Sequence, residues 1–487
     1  MGFFSFLFKE NKDSHQQAKP EKQQKSPTEE NILAALVDCD DLTQYTVNNI
    51  GVKLVFFGHL IENVILDRDI IEPLNNVQES ELANLFSRKQ YKRIDTCIEA
   101  VDGILKGQVA ILSHNKTYIV DAYGPKSRSI TQSESESIIT GAHDAFIEEA
   151  NVNLSLIRRR LQTPKLKVKK FIVGDLTKST VALMYIEGVA NNDIVKELDK
   201  RISEVKVDSI EDANMLAQMI DEFPNSIFPQ FFTTERPDVI VGKLVSGKIA
   251  GIVDHSPTVF TAPTNFFEFF ESPDDKNNRW IISTSMKLMR YFAFIITLTF
   301  TALYVSATTY SYEVIPQTIL MSLAESRHRV PFPPLVEALM LEIAIELLRE
   351  AGVRLPTKIG QTIGIVGGIV IGQAAVDAGL VSNTLIIAVA VSAISSFVIP
   401  NYILSASLRI ARFMVIILAG LFGNFGLIVG LLLLVIHLGG LTNLNTPYVN
   451  PIAPTHPRDW LNYFIRAPYG LKKTRPTQSI SPNPKKR

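Results

Sequence analysis

The spacing of apolar residues changes within the first 160 residues, and each spacing predicts a different element. Residues 31–76 carry apolar side chains at intervals of three and four, as at Leu54 and Phe57, which predicts helix. Two short apolar runs then flank a polar turn and predict a β-hairpin over 108–120. The pattern therefore predicts an α+β subdomain over 31–160.

A second mixed pattern follows, and it predicts another α+β subdomain over 165–270. A cluster of Arg, Lys and Pro at 158–170 predicts a link between the two subdomains. The expected elements of the second subdomain are strands at 169–173 and 181–187, a helix at 192–205, and a hairpin of 239–245 with 248–253 that turns at Ser246 and Gly247.

Beyond Arg290 the pattern becomes a series of long uncharged runs, and most charged residues lie before Arg290 or after Arg458. Runs of this length can cross a hydrocarbon core of about 30 Å as helices. The predicted spans are about 291–312, 359–377, 382–400 and 413–437, with an amphipathic helix at 335–351 between the first two.

The predicted fold class is an α+β cytoplasmic N-terminal domain of two subdomains followed by a polytopic all-α membrane domain. Residues 9–30 carry no aromatic or β-branched apolar residue, which is typical of disorder. The predicted plan is a disordered leader at 1–30, subdomains at 31–160 and 165–270, a juxtamembrane linker at 271–290, the membrane domain at 291–457 and a basic tail at 458–487.

Positive charge gives conflicting signs of orientation. Basic residues before the first span, including Arg290, favour a cytoplasmic N-terminal side, and the basic tail favours a cytoplasmic C-terminal side. Together they require an even number of crossings. Arg409 and Arg412 precede the last predicted span and favour the opposite orientation.

Composition and motifs argue against an enzyme or a nucleic-acid partner. Lys+Arg and Asp+Glu both total 49, so the net charge indicates no polyanionic partner. The sequence has no phosphate-binding loop, dinucleotide fingerprint, zinc-protease motif, paired CxxC motif or nucleophile elbow. We expect no catalytic residues, no cofactor and no metal site.

The helix predicted at 335–351 carries acidic residues between two membrane spans. Glu342, Glu346 and Glu350 fall on one side with Arg349, opposite a largely apolar side. Charges there need a partner, a water path or the interface. One interpretation is that a Glu346–Arg349 ion pair fastens an interfacial helix. The other is that the three glutamates form an acidic vestibule at an ion entrance.

Four glycines recur at every fourth residue of the next predicted span: Gly360, Gly364, Gly368 and Gly372. Such a stripe of small residues allows a neighbouring helix backbone to approach closely. Gln373 and Asp377 lie together on another face. The segment is either a packing face with Asp377 at the headgroups or a pore-lining helix whose polar pair meets water.

Several motifs together resemble the A subunit of GerA-type spore germination receptors. The resemblance covers about 31–468 and is most specific from 331 to 382. Its motifs are Phe228-Pro-Gln with Thr234-Glu-Arg-Pro-Asp238, Asp254-His-Ser-Pro257, Ser272-Pro-Asp-Asp275 with Arg279-Trp280, Val330-Pro-Phe-Pro-Pro334, Glu346-Leu-Leu-Arg-Glu-Ala-Gly352, and Gly360-Gln-Thr-Ile-Gly364 continuing to Gly372-Gln-Ala-Ala375.

The resemblance implies a subunit of a nutrient receptor in the inner membrane of the bacterial spore. It implies an oligomeric, ligand-gated cation channel subunit that works with a permease-like B subunit and a lipoprotein C subunit, in contact with lipid. Matching the family's glycine-rich helix makes 359–378 the candidate for the pore or its packing. The alternatives are an accessory paralogue without its own nutrient partner and a secondary transporter.

The exit from the second subdomain is the candidate element for coupling a signal to the first span. Pro273 stiffens the connection, and Trp280 has the amphipathic side chain that anchors helices at membrane interfaces. We therefore expect Arg279 and Trp280 to transmit domain movement to the membrane helix.

Overall fold

The computed structural model describes residues 25–113, 116–125, 136, 140–354, 372–468, 470 and 474–486. The chain separates into two compact units, and each is described by itself. Unit 1 contains residues up to 37, 43–57 and 63–123, and unit 2 contains 38–42, 58–62 and 124–487. The boundary at 123 falls before the predicted link at 158–170. The predicted leader lies mostly outside the described residues.

Unit 1 is built on a five-stranded sheet in the order β1-β2-β4-β5-β3. Its strands are β1 Leu42–Val47, β2 Val52–Phe57, β3 Lys92–Ile94, β4 Gln108–Ser113 and β5 Lys116–Asp121. Its main helices are α1 Glu29–Ala35 and α2 Cys97–Leu105, with shorter helical turns at Asn63–Ile65, Leu66–Ile71, Glu72–Asn75 and Leu82–Phe86. The β4–β5 pairing confirms the predicted hairpin over 108–120.

The prediction of helix throughout 31–76 is wrong, because β1 and β2 occupy its centre. Leu54 and Phe57 are three residues apart, but both belong to a strand that is nearly all buried. A run rich in Val and Phe suits a buried strand, and such a run cannot be told from a helix by spacing alone. Gly51 adopts a φ of 62° at the turn before β2, a conformation that glycine favours.

The α/β part of unit 2 has a second five-stranded sheet in the order β6-β7-β9-β10-β8. Its strands are β6 Leu166–Val173, β7 Ser179–Ile186, β8 Phe232–Thr234, β9 Ile249–Val253 and β10 Val259–Ala262. Its helices are α3 Ala150–Arg160, α4 Asn192–Glu204, α5 Ala213–Met219 and α6 Pro237–Val245. Strands β6 and β7 and helix α4 confirm three of the predicted elements.

The predicted hairpin of 239–245 with 248–253 is wrong, since the first half is helix α6 and only the second half is a strand. Pro237 stands at the start of α6 with its φ already suited to helix, and Gly247 with a φ of 92° follows its end. This pair of start and stop residues was the available signal for a helix.

Beyond residue 271, the described part of unit 2 is mainly helical. Its helices are α7 Trp280–Thr309, α8 Gln317–Arg327, α9 Pro334–Arg354, α10 Asn383–Phe397, α11 Tyr402–Gly440 and α12 Pro457–Tyr463, with a helical turn at Asp274–Asn277. Helix α7 packs against both α10 and α11. Two small strands, β11 Thr442–Asn443 and β12 Thr446–Pro447, follow α11.

Two of these helices are long and apolar enough to cross a membrane among the residues that the structure describes. They are α7, with a mean hydropathy of 1.6, and α11, with a mean hydropathy of 2.4. Helix α10 is apolar but has only 15 residues. Most of the span predicted at 359–377 lies outside the described residues, although 372–377 is helical.

Helix α11 is interrupted at Gly423, so the span predicted at 413–437 is not one continuous helix. Gly423 has φ 63° and ψ −143°, far from helical values. A Cβ on Gly430 would lie 3.4 Å from Cα of Val415, although 15 helical residues would extend about 22 Å. The two arms of α11 therefore fold back on each other as a helical hairpin.

The ends and the turn of this hairpin contact different partners. In one arm the Ser407 hydroxyl bonds to the backbone carbonyl of Ile227, and in the other arm His437 lies 3.0 Å from the Ser226 hydroxyl. At the turn, the Tyr310 hydroxyl donates to the Leu421 carbonyl over 2.9 Å. Both ends thus meet the α/β part, whereas the turn meets the far end of α7.

Candidate functional site

A cluster of charged side chains, with a fully buried ion pair at its centre, contacts four helices of the apolar helical region. We call it the arginine cluster and define it as Glu342, Glu346, Arg349, Arg409 and Arg412. Arg412 Nη2 lies 2.5 Å from Glu342 Oε2, and both side chains are fully buried. Polar side chains on α9 and α11 are therefore paired where neither can reach water.

Glu346 connects this buried pair to two further arginines. Its carboxylate lies 2.9 Å from Arg349 Nη1, 3.1 Å from Arg409 Nε and 3.4 Å from Arg412 Nη2. The first of these contacts confirms the predicted Glu346–Arg349 pair. All three arginines donate charge-assisted hydrogen bonds to Glu346, whereas Glu342 Oε2 is held by its ion pair with Arg412.

Hydroxyl groups from the other two helices complete the cluster. The Thr301 hydroxyl of α7 donates to Glu342 over 3.0 Å. On α10, the Ser392 and Ser396 hydroxyls accept from Arg412 and Arg349 over 3.0 and 3.2 Å. Buried ions need hydrogen bonds as well as a partner of opposite charge, and these hydroxyls supply part of them. Among the described residues, Arg349 Nε and Arg412 Nε have no hydrogen-bond partner.

The three predicted vestibule residues occupy different environments. Glu342 is in the buried pair rather than on an exposed acidic surface, and Glu346 is shared among the arginines. Glu350 is exposed and lies 2.6 Å from Arg354. The expected single-sign surface is thus divided among ion pairs, and Glu350 alone of the three keeps a largely exposed carboxylate.

The polar pair of the predicted glycine-rich helix is present at its described end. Gln373 Nε2 donates to Asp377 Oδ1 over 3.0 Å, and both residues are exposed. A Cβ on Gly372 would meet no described atom within 4 Å. Gly360, Gly364 and Gly368 lie outside the described residues, so the packing role of the stripe stays a prediction.

A second buried region lies where the α/β part of unit 2 meets α7. Five residues, Phe266–Phe270, form a 3₁₀ helix in which every side chain is buried. Phe270 lies 4.9 Å from Tyr291 of α7, and Phe267 lies 5.0 Å from Phe464, between ring centroids. We call this region the junction, since it brings the α/β part, the first long helix and the C-terminal segment into one core.

The junction contains buried lysines around two glutamates. We call them the lysine cluster: Lys243, Lys248, Glu268, Glu271 and Lys287. Lys243 Nζ lies 2.6 Å from Glu268 Oε2, and the Lys248 ammonium contacts the other oxygen of Glu268. Lys287 of α7 lies 3.7 Å from Glu271. The cluster therefore joins the first long helix to the α/β part electrostatically.

The two lysines on Glu268 titrate differently. Burial lowers the pKa of Lys248 to about 8, although Glu268 opposes this shift. Burial also acts to lower the pKa of Lys243, but Glu268 and Glu271 outweigh it and raise that pKa above its ordinary value. Lys248 therefore gives up its proton first as the pH rises.

The predicted coupling residues are at the surface of this junction. Trp280 is 40% exposed, and Arg279 is exposed at the N-terminal cap position of α7. The polar contacts of α7 at the junction are made instead by its own Lys287 and Arg290 and by Arg466 of the C-terminal segment, to which the sequence assigned no coupling role. The sequence contained one sign of this buried junction: four phenylalanines flank a single glutamate at 266–270.

Among the residues that the structure describes, no group of three His, Cys, Asp or Glu could hold a metal ion. The fold and the two clusters define a class of protein in which an α/β domain is continuous with an apolar helical region that buries ion pairs. The comparisons with known proteins give this class a family.

The chain belongs to the GerA family of spore germination proteins of Bacillus and Clostridium, whose model matches residues 30–478. It is 44% identical to spore germination protein GerQA of Bacillus cereus, over 89% of this chain and 88% of that protein. It is 37% identical to GerLA of Bacillus cereus, over 94% of this chain and 91% of that protein. Among solved structures, the N-terminal domain of the A subunit of the Bacillus megaterium germinant receptor GerK3 is 25% identical, with a TM-score of 0.38, over 50% of this chain and 99% of that one.

Proposed function

We propose that this protein is the membrane subunit of a nutrient-sensing spore germination receptor. In this role it forms part of an oligomeric, ligand-gated cation channel that releases ions when germination begins. The observation that carries the proposal is the arginine cluster inside apolar helices, in a chain of the germination family. Ionisable groups within membrane helices are costly, and they are typical of ion pathways and of the elements that gate them.

The proposed arrangement has the helical region in the inner membrane of the spore and the N-terminal domain in the cytoplasm. Two contacts support it: both ends of the α11 hairpin meet the α/β part, and Arg466 beyond the hairpin bonds to the backbone of Asp275 and Lys276. An even number of crossings follows. Arg409 and Arg412 then act as ion-pair partners rather than as signals of orientation.

The proposed assembly is a ring of identical subunits together with a permease-like B subunit and a lipoprotein C subunit. Nutrient is bound by a partner chain, and the N-terminal domain couples the signal to the channel. The glycine stripe supports the ring, since small residues allow close helix contact between subunits. The polar pair of Gln373 and Asp377 is the proposed water-facing side of that helix. This role requires no catalysis by the chain itself.

The first test is the assembly state. Gly368→Leu should disrupt the close helix contact, so the purified variant should lose its oligomer, and spores carrying it should not release ions in response to nutrient. Mass measurement in a gentle detergent that preserves activity gives the subunit number. A wild-type protein that is active and only monomeric would contradict the ring.

The second test is the division of labour between chains. Calorimetry of residues 31–270 with germinants should show no binding, while the whole receptor responds. Tight binding by the isolated segment would assign nutrient sensing to this chain.

A further inference from the structure

The C-terminal segment bonds to both sides of the junction. We define the C-terminal strap as the described residues 457–468 together with 474–479. On the side of α7, Arg466 Nε and Nη2 donate to the backbone carbonyls of Asp275 and Lys276 over 3.1 and 2.9 Å. The Arg466 side chain is buried, and these carbonyls belong to the helical turn Asp274–Asn277, which ends shortly before α7 begins at Trp280. One guanidinium thus holds the turn that leads into the helix.

The strap continues along α7 for several turns. The backbone N–H of Arg466 donates to the Thr284 hydroxyl over 3.2 Å. Lys287 Nζ donates to the carbonyl of Asn462 over 2.9 Å, and the Tyr291 hydroxyl donates to the carbonyl of Tyr463 over 3.3 Å. Residues 284, 287 and 291 are three and four apart, so one face of α7 follows the strap.

The other end of the strap bonds to the α/β part. Asn265 Nδ2 donates to Gln478 Oε1 over 2.8 Å, and both side chains are fully buried. Arg475 Nε donates to the carbonyl of Val245 at the end of α6 over 3.0 Å. The α/β part of unit 2 and the first long helix are therefore both bonded to the same segment.

We propose that the C-terminal strap, with Arg466 as its positioning residue, transmits movement of the α/β part to α7. The covalent route through 271–279 ends at the exposed Arg279 and Trp280, although its buried Asp275 pairs with Arg290 of α7 over 2.6 Å. The strap bonds to this route, to α7 itself and to the α/β part. A buried arginine bonded to two backbone carbonyls fixes the entry to the helix more firmly than a solvent-exposed connection can. This inference rests on the proposed coupling function and assigns it to a different segment.

The experiment compares three variants of the whole protein in spores. Arg466→Ala removes the two side-chain bonds to the carbonyls of Asp275 and Lys276, and Gln478→Leu removes the buried bond to Asn265 at the α/β end. Arg458→Ala changes an exposed arginine of the same strap and serves as the matched control. Protein level and assembly are measured by blotting of spore membranes, and ion release is measured against germinant concentration.

We expect Arg466→Ala and Gln478→Leu each to shift ion release to higher germinant concentration, with Arg458→Ala unchanged. The double variant should be no worse than the stronger single variant, because two breaks in one link interrupt the same route. A purely stabilising role would instead lower protein level and give additive losses. Arg466→Lys, which keeps the charge without the planar fork, should restore part of the response.

Hydrogen exchange on the purified protein supplies a readout that does not depend on channel activity. Amides at the start of α7 should exchange faster in Arg466→Ala than in Arg458→Ala. Faster exchange together with a wild-type germinant response would overturn the coupling role of the strap. Absence of ion release in wild-type spores under the same conditions would instead contradict the proposed function itself.

Discussion

The arginine cluster and the lysine cluster each gather three cations around two carboxylates, in two different parts of the molecule. Both place carboxylates between cations that have almost no exposed surface. They differ in the cation. An arginine side chain stays protonated at every physiological pH, whereas a buried lysine can lose its proton when the desolvation cost exceeds the attraction of its partners.

The charge of the arginine cluster should therefore not change with pH, whereas the charge of the lysine cluster can. Arg412 in the helical region can be stabilised only by its carboxylate and hydroxyl partners, so α9, α10 and α11 are held in one arrangement. Burial lowers the pKa of Lys248 at the junction to about 8, so this side chain can lose its proton. The helical region is therefore expected to respond to loss of a partner, and the junction to a change of pH.

Breaking the fully buried pair should give the largest effect. Arg412→Met leaves the Glu342 carboxylate buried with the Thr301 hydroxyl as its remaining described partner. Such a loss typically costs about 3–5 kcal/mol. Unfolding of the detergent-purified protein should show this decrease, and the double variant Glu342→Gln with Arg412→Met should recover most of it. Equal losses in the single and double variants would show that the two side chains do not stabilise each other.

Titration of Lys248 should give the next largest effect. Because the pKa of Lys248 is lower in the folded protein, the unfolded chain binds more protons between about pH 8 and its ordinary pKa. Stability should therefore rise with pH, by about 2 kcal/mol from this group between pH 7 and 9.5.

The variant Lys248→Arg makes the junction resemble the arginine cluster, because arginine does not titrate in this range. The rise in stability with pH should be smaller in this variant than in the wild type, since the contribution of Lys248 is absent and all other groups are shared. Thermal unfolding at several pH values measures the difference. Parallel pH profiles would contradict the titration of Lys248.

Breaking the exposed Glu350–Arg354 ion pair should have the smallest effect on stability. The same variants test the predicted acidic vestibule. Glu350 and Arg354 are both largely exposed, so their pairing should contribute little to folding. If Glu350 raises the local cation concentration, Glu350→Gln should slow ion release and Arg354→Gln should accelerate it, with protein stability unchanged in both. Wild-type rates in both variants would remove Glu350 from the ion pathway.

Local spacing predicted the elements that carry their own signals, and it missed those that depend on distant partners. Helix α4 and the β4–β5 hairpin followed from short repeated patterns and turn residues. The turn at Gly423 had only a weak local signal, the Gly423-Asn424 dipeptide within an apolar run. One continuous apolar helix and a hairpin of two shorter helices would have the same composition. Packing of the turn against Tyr310 distinguishes the hairpin from the continuous helix.

The two charge clusters were beyond local reasoning for a related reason. Glu346 and Arg349 are three residues apart, and their pairing could be predicted from helical spacing. Glu342 and Arg412 are 70 residues apart, and Lys243 and Glu268 are 25 residues apart. Only the fold brings such residues together. Arg409 and Arg412 favoured the opposite orientation in the sequence analysis, and their carboxylate partners give another reason for their position.

Cation flux through the reconstituted receptor tests the central claim most directly. Vesicles are loaded with a cation-sensitive dye, and they carry this chain together with the proposed B and C subunits or the proposed B and C subunits alone. The account predicts cation flux that depends on germinant and on the presence of this chain, and that falls in Gly368→Leu. Equal flux from vesicles without this chain would contradict its role as the channel subunit.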